Sequence, residues 1–448
     1  MLKGRIYEQS KGRHNQSSYI IVTKKSSIGQ FKLNDVQPAL IKIKDATFPA
    51  VLKTTKDVRF TVPIHLANNI KTPQNIYFNI ISIPKERNSV KKEGYANLLN
   101  IIPRETIRGY PLHKFELENN RLLLWIYSKG NNAFELPKLI PIRKGNYSLL
   151  ELFGAYFCEG FKSRKKGKHL DRFSFSNADG SQIAWFVKAA ESILGIKKDL
   201  WKVQILFPEK DQNTIRNLEE YWSEFGLLKD NIKIIKNSRV SASHGVCILN
   251  IHNSTLAEVF YYIMEYCMNL TLSSKQFSIE TFRGLSRGDI GVSHKEVNFS
   301  TESRENALFF KNICKIIGIR TSKMYYITGK KGYWSVRITN RSNFIKLLKL
   351  GCITHQKRKN KLVRNIFNNK KVYLYKYLDS VNNGFNTSLG SAKFLRLSQI
   401  TTRMFLTRLE EENYLKAKID KNHYRQKIYS FTNKGKEELD FYKSLKRV

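Results

Sequence analysis

The chain has 448 residues, 41% of them hydrophobic and 12% aromatic, which excludes a disordered chain, a coiled coil and a collagen-like fibre. Its 78 Lys and Arg against 37 Asp and Glu leave a formal charge of +41, far beyond what solubility requires, so a polyanion is the expected partner. No apolar run reaches the roughly 18 residues that span a bilayer, the first residues lack the apolar stretch of a secretory signal, and the five cysteines form no CxxC pair; a cytoplasmic chain with free thiols and no structural zinc is expected.

Short β-branched and aromatic runs at 19–23, 58–62, 76–83 and 122–127 predict a β-rich accessory domain over residues 1–140. The segment ELPKLIPIRKGN, with two prolines and a glycine, is the expected linker. An internal duplication follows. FSNADGSQIAWFVKAAESILGI at 175–196 matches FSTESRENALFFKNICKIIGI at 299–319 in strand exit, helix spacing and Gly-Ile ending. Strand-like segments follow each copy, WKVQILF and CILNIH in the first, KMYYI and WSVRIT in the second, and further helices are predicted to begin near Ser254 and Ser342. The unit reads αββαββα twice, over 146–272 and 273–368, with about forty extra residues between the strands of the first copy. Residues 370–448 change character: three helices, two strand-like pieces around KNHYRQ, and a closing amphipathic helix follow the order of a winged helix.

The expected fold class is therefore α+β. Before each matched segment stands an apolar helix expected to end in an acid: Leu152-Phe153-Gly154-Ala155-Tyr156-Phe157-Cys158-Glu159-Gly160 and Phe282-Arg283-Gly284-Leu285-Ser286-Arg287-Gly288-Asp289-Ile290. Small residues four apart, Gly154 with Cys158 and Gly284 with Gly288, share a helix face and permit backbone-to-backbone packing. Such packing would bring Glu159 and Asp289 together, and two carboxylates at one point can hold Mg²⁺.

Over roughly residues 146–368 the chain resembles the LAGLIDADG homing endonucleases, matching the motif at Leu152, Gly154, Glu159 and Gly160, and at Gly284, Leu285 and Asp289. It departs from the motif at Arg287 and Ile290. The resemblance implies a monomer with internal pseudo-twofold symmetry that cuts both strands of duplex DNA by metal-dependent phosphodiester hydrolysis, with Glu159 and Asp289 as ligands of Mg²⁺ or another divalent cation. It also implies basic residues near the metals. Lys275 fits in the first repeat; in THQKRKNKLV, His355, Lys357 and Lys361 all fit, and Lys357 is carried as the candidate.

The expected DNA contacts are the basic cluster Lys162, Arg164 and Lys165, the strand residues Lys202 and Gln204, and, in the second copy, Lys323, Tyr325, Arg337 and Thr339. The C-terminal segment resembles winged helix-turn-helix DNA-binding domains and holds 14 basic and 7 acidic residues over 391–448. Its recognition helix, 398–409, would present Gln399, Thr402, Arg403 and Arg408, with Lys421, His423 and Arg425 at the wing tip. Two other readings share these features. One is a non-cleaving DNA-binding transcriptional regulator on a degenerate core, favoured by a cation at Arg287 beside the metal site. The other is an RNA-binding maturase.

Overall fold

The computed structural model describes residues 1–9, 18–24, 36–54, 57–62, 66, 73–82, 92–106, 109–126, 133–160, 172–208, 211–293, 295–328, 332–367, 373–421, 423 and 426–446. These residues mix helix and strand and divide into two compact units, Met1–Asp289 and Ile290–Val448.

The first unit begins with a closed six-stranded barrel. Its strands are β1 (Leu2–Gln9), β2 (Ser18–Lys24), β3 (Val36–Ile43), β4 (Ala46–Thr54), β5 (Asp57–Val62) and β6 (Gln74–Ser82), in the order β1-β2-β5-β4-β3-β6. Strict alternation builds it: on β5, Val58, Phe60 and Val62 point inward while Arg59 and Thr61 point out. Phe60 meets Phe78 edge to face at 5.0 Å in the barrel core. Because β6 pairs with both β1 and β3, the sheet has no open edge. A three-stranded sheet follows, β7 (Leu112–Leu117), β8 (Arg121–Ile126) and β9 (Phe134–Pro137), whose first hairpin turns through Asn119 and Asn120 at positive φ. The expected linker is not loose chain: Leu139–Pro141 pairs with Tyr95–Asn97, and Arg143–Lys144 forms a hairpin with Tyr147–Ser148.

Helix α1 (Leu149–Glu159) starts at Ser148, whose hydroxyl accepts from the Leu150 N–H. After it come β10 (Phe173–Asn177), α2 (Gly180–Leu194), β11 (Lys202–Phe207), α3 (Gln212–Ser223), β12 (Ile232–Lys236), β13 (Val246–Ile251), α4 (Ser254–Ser273) and α5 (Lys275–Leu285). The sheet order is β10-β13-β11-β12. The extra residues of the first copy supply α3 and β12, which adds to the far edge parallel to β11. Phe173, Phe186 and Phe260 surround Tyr156 of α1, Trp201 packs on Phe173 and Phe186, and Phe175 and Phe186 stack at 3.8 Å.

In the second unit, β14 (Ile290–Val292), β15 (Val297–Thr301), α6 (Arg304–Ile316), β16 (Tyr325–Ile327), β17 (Tyr333–Ile338), α7 (Arg341–Lys349) and α8 (Gln356–Phe367) follow in order. Their sheet runs β14-β15-β17-β16. The run β15-β17-β16 has the same order as β10-β13-β11. The C-terminal part consists of α9 (Tyr373–Asn382), α10 (Ser388–Leu395), α11 (Gln399–Glu411), the antiparallel pair β18 (Leu415–Ile419) and β19 (Lys427–Phe431), and α12 (Asn433–Lys446).

Four cysteines, Cys247, Cys267, Cys314 and Cys352, are buried and Cys158 is half-buried. Burial pushes the Cys247, Cys267 and Cys314 thiols up, away from the reactive thiolate. The folded chain is expected to consume no more than one equivalent of an aromatic disulfide reagent at pH 8, rising to five in guanidinium chloride, as followed by thiolate absorbance. Rapid reaction of several thiols in the native state would contradict this packing.

Candidate active site

The glycines of the two motif segments determine how closely their helices meet. A Cβ built on Gly154 would lie 2.4 Å from the Thr281 carbonyl oxygen, and one on Gly284 would lie 2.1 Å from the Glu151 carbonyl oxygen. The two α-carbons therefore face each other with no side chain between, and α1 and α5 run side by side in the same direction. One turn further on, a Cβ at Gly288 would be 2.3 Å from Cys158 Cβ and 3.0 Å from Glu159 Cγ. The Cys158 thiol reaches the Leu285 carbonyl at 3.8 Å.

This register puts the Glu159 side chain against the residue that immediately precedes Asp289. Glu159 is the last residue of α1 and half-buried, and Asp289 is exposed. Contrary to expectation, Asp289 does not sit on a helix end. Helix α5 stops at Leu285, and a tightened turn with Arg287 N–H to Gly284 O at 3.0 Å and Gly288 N–H to Leu285 O at 3.1 Å carries the chain to it. Among the described residues no group of three or more His, Cys, Asp or Glu side chains could hold a metal ion. Glu and Asp carboxylates are the hard oxygen donors that Mg²⁺ takes, commonly one or two of them with waters and substrate phosphate completing its shell.

The two departures from the motif are structural. Ile290 is fully buried and pairs with Phe299. Arg287 turns away from solvent: its Nε donates to Glu151 Oε1 at 2.8 Å, its Nη1 to Gln182 Oε1 at 3.1 Å, and its guanidinium lies 3.8 Å from the centre of the Trp185 ring. A second buried carboxylate, Glu280 on α5, accepts from Arg143, from the Ser148 hydroxyl and from Gln276 Nε2. Neither ion pair was visible from sequence spacing, because each joins residues more than 130 positions apart.

Other expected site residues scatter. Lys275 is exposed at the first position of α5, fourteen positions before Asp289, or roughly 20 Å along the helix at about 1.5 Å per residue, so it does not join the acids. Lys357 is exposed on α8 of the second unit. Lys162, Arg164, Lys165 and Arg425 lie outside the described residues. Lys202 and Gln204 share one face of the first sheet, opposite the buried Val203 and Ile205, and Lys233 stands beside Gln204. Tyr325 and Arg337 share a strand face opposite the buried Val336 and Ile338, and Lys323 and Thr339 lie just outside the strands; Ser335 on the same face is buried, and the Tyr325 hydroxyl is buried without a hydrogen-bond partner beneath the Arg337 guanidinium, 4.6 Å from the ring and 3.4 Å from Glu296, so Tyr325 is not an open contact.

On α11, Gln399 and Arg403 are exposed, and Arg408 is exposed but bound to Glu412 at 2.7 Å. Thr402 corrects the expectation. It is fully buried with Leu406 and Leu409 at helical spacing, and its hydroxyl finds no hydrogen-bond partner. Thr402→Val is therefore expected to leave duplex affinity unchanged and to raise stability by up to about 1 kcal/mol, read from denaturant midpoints. A loss of affinity at equal stability would restore Thr402 to the contact surface.

No protein-family model matches the chain, and no curated protein matches it in sequence. Among solved structures it is similar to mesophilic variants of the homing endonuclease I-DmoI at 13% identity, over 45% of this chain and 93% of that one, with a TM-score of 0.26. It is similar at 14% to I-DmoI in complex with DNA and Mn, over 46% and 96% with a TM-score of 0.26, and in complex with DNA and Ca, over 45% and 86% with a TM-score of 0.25. Scores this low carry no weight for the fold.

Proposed function

We propose that the chain is a site-specific double-stranded DNA endonuclease of LAGLIDADG homing type, acting as a monomer with one motif helix from each of two αββαββα repeats, 146–272 and 273–368. The observation that carries this reading is the glycine contact of α1 with α5, which sets Glu159 against the residue preceding Asp289. Glu159 and Asp289 would hold the Mg²⁺. Bound there, the ion would supply an activated water and neutralise charge developing on a scissile phosphate. The chain's own residues do the rest. The glycine contact holds the two acids in register, Lys202, Gln204, Arg337 and their neighbours face base edges and phosphates, and the excess of cations draws the duplex in by counterion release.

In the same reading residues 1–140 are an accessory β domain and 370–448 a winged-helix domain that adds affinity through Gln399 and Arg403. The test is incubation of the purified chain with a duplex DNA library and Mg²⁺, with sequencing of the ends. Double-strand breaks at one recurrent long site are expected. Binding without cuts would replace the nuclease with a regulator, and preference for structured RNA would replace it with a maturase.

A further inference from the structure

We propose that Glu151 is a positioning residue for the acidic pair: it neutralises Arg287, so that this guanidinium can clamp the turn carrying Asp289 without repelling the cation the pair would hold. The inference rests on the nuclease reading and deepens it.

Arg287 stands two residues before Asp289, at most about 7 Å between α-carbons, where a bare cation would oppose metal binding. Its side chain is 14% exposed and that of Glu151 9%, so solvent screens neither charge well. Contacts from α1 (Glu151) and α2 (Gln182, Trp185) fix the guanidinium on two elements, and through it the turn that delivers Asp289. Glu151 lies on α1, two turns before Glu159, so one carboxylate couples both helices of the site. The arrangement also answers the electrostatic objection to a metal site here: the cation at the unusual motif position arrives with its counter-charge.

The experiment compares the full chain, Glu151→Gln, and the double variant Glu151→Gln with Arg287→Met. Mn²⁺ binding is measured by calorimetry, alongside the Mg²⁺ midpoint for cleavage and the thermal midpoint of each variant. Glu151→Gln leaves the Arg287 charge uncompensated and should weaken the metal midpoint roughly ten-fold. The double variant should return it to within about three-fold of wild type, although it loses the clamp and some stability. A merely structural role would instead make the metal midpoint follow the thermal midpoint. Should Glu151→Gln not fold, Arg287→Met reads the same field with opposite sign and should tighten the metal midpoint. Wild-type metal affinity in Glu151→Gln, or equal impairment in the double variant, overturns the proposal alone. A wild-type chain that binds no Mn²⁺ overturns the nuclease reading and this proposal with it.

Discussion

Glu159→Gln and Asp289→Asn are each expected to lower strand cleavage by about 10³-fold or more, since loss of a metal ligand removes several kcal/mol of transition-state stabilisation. Duplex affinity without divalent ion should stay equal or tighten, because each substitution deletes a negative charge that faces phosphate. The two readouts therefore move apart. A damaged fold would lower both together, and a pair that served only a structural role would change cleavage little. The measurement is single-turnover cutting of the selected site beside filter binding at fixed salt. Cleavage by either variant within ten-fold of wild type would remove the acids from the chemistry.

How much of this was legible in the sequence follows from which interactions are local. The glycine spacing at 154/158 and 284/288 and the Phe-Ser strands at 175 and 299 were visible because period and repeat are local properties. Strand parity was legible only in part: alternate residues face opposite sides, and Lys202 and Gln204 fall opposite the buried Val203 and Ile205, whereas Tyr325 shares its face with the buried Ser335. The burial of Thr402 had a readable signal that went unused, since 402, 406 and 409 form a helical stripe with two leucines. Other features had none. Closure of the barrel depends on β6 meeting both β1 and β3, and pairing of distant strands leaves no local pattern. Arg287 looked like a charge hostile to metal until Glu151 and Gln182, 136 and 105 positions away, were brought beside it. The far-end position of Lys275, by contrast, had a readable signal: it stands fourteen positions before Asp289 along a helical segment that begins at Lys275 itself.

Gly284→Ala is expected to destabilise the fold strongly for the addition of a single methyl group. Its new carbon would stand 2.1 Å from the Glu151 carbonyl oxygen and 2.7 Å from the Ala155 nitrogen, both backbone atoms of a helix that cannot rotate aside. Alanine gains about 1 kcal/mol of helix propensity over glycine, yet overpacking against fixed backbone costs about 3 kcal/mol or more, so a net loss of about 2 kcal/mol is expected in urea denaturation. Gly154→Ala should behave alike, because its Cβ meets the Thr281 oxygen at 2.4 Å and the Leu285 nitrogen at 2.9 Å. Gly288→Ala differs in kind: the obstacle is the Cys158 side chain, 2.3 Å away, and the combined change Cys158→Gly with Gly288→Ala moves the offending carbon from α1 to the turn that follows α5. That double variant should recover most of the stability lost by Gly288→Ala alone. Prising the helices apart at Gly284 must also separate Glu159 from Asp289, so cleavage should fall further than the unfolded fraction explains. A Gly284→Ala chain with wild-type stability and wild-type cutting would mean that the two backbones do not touch.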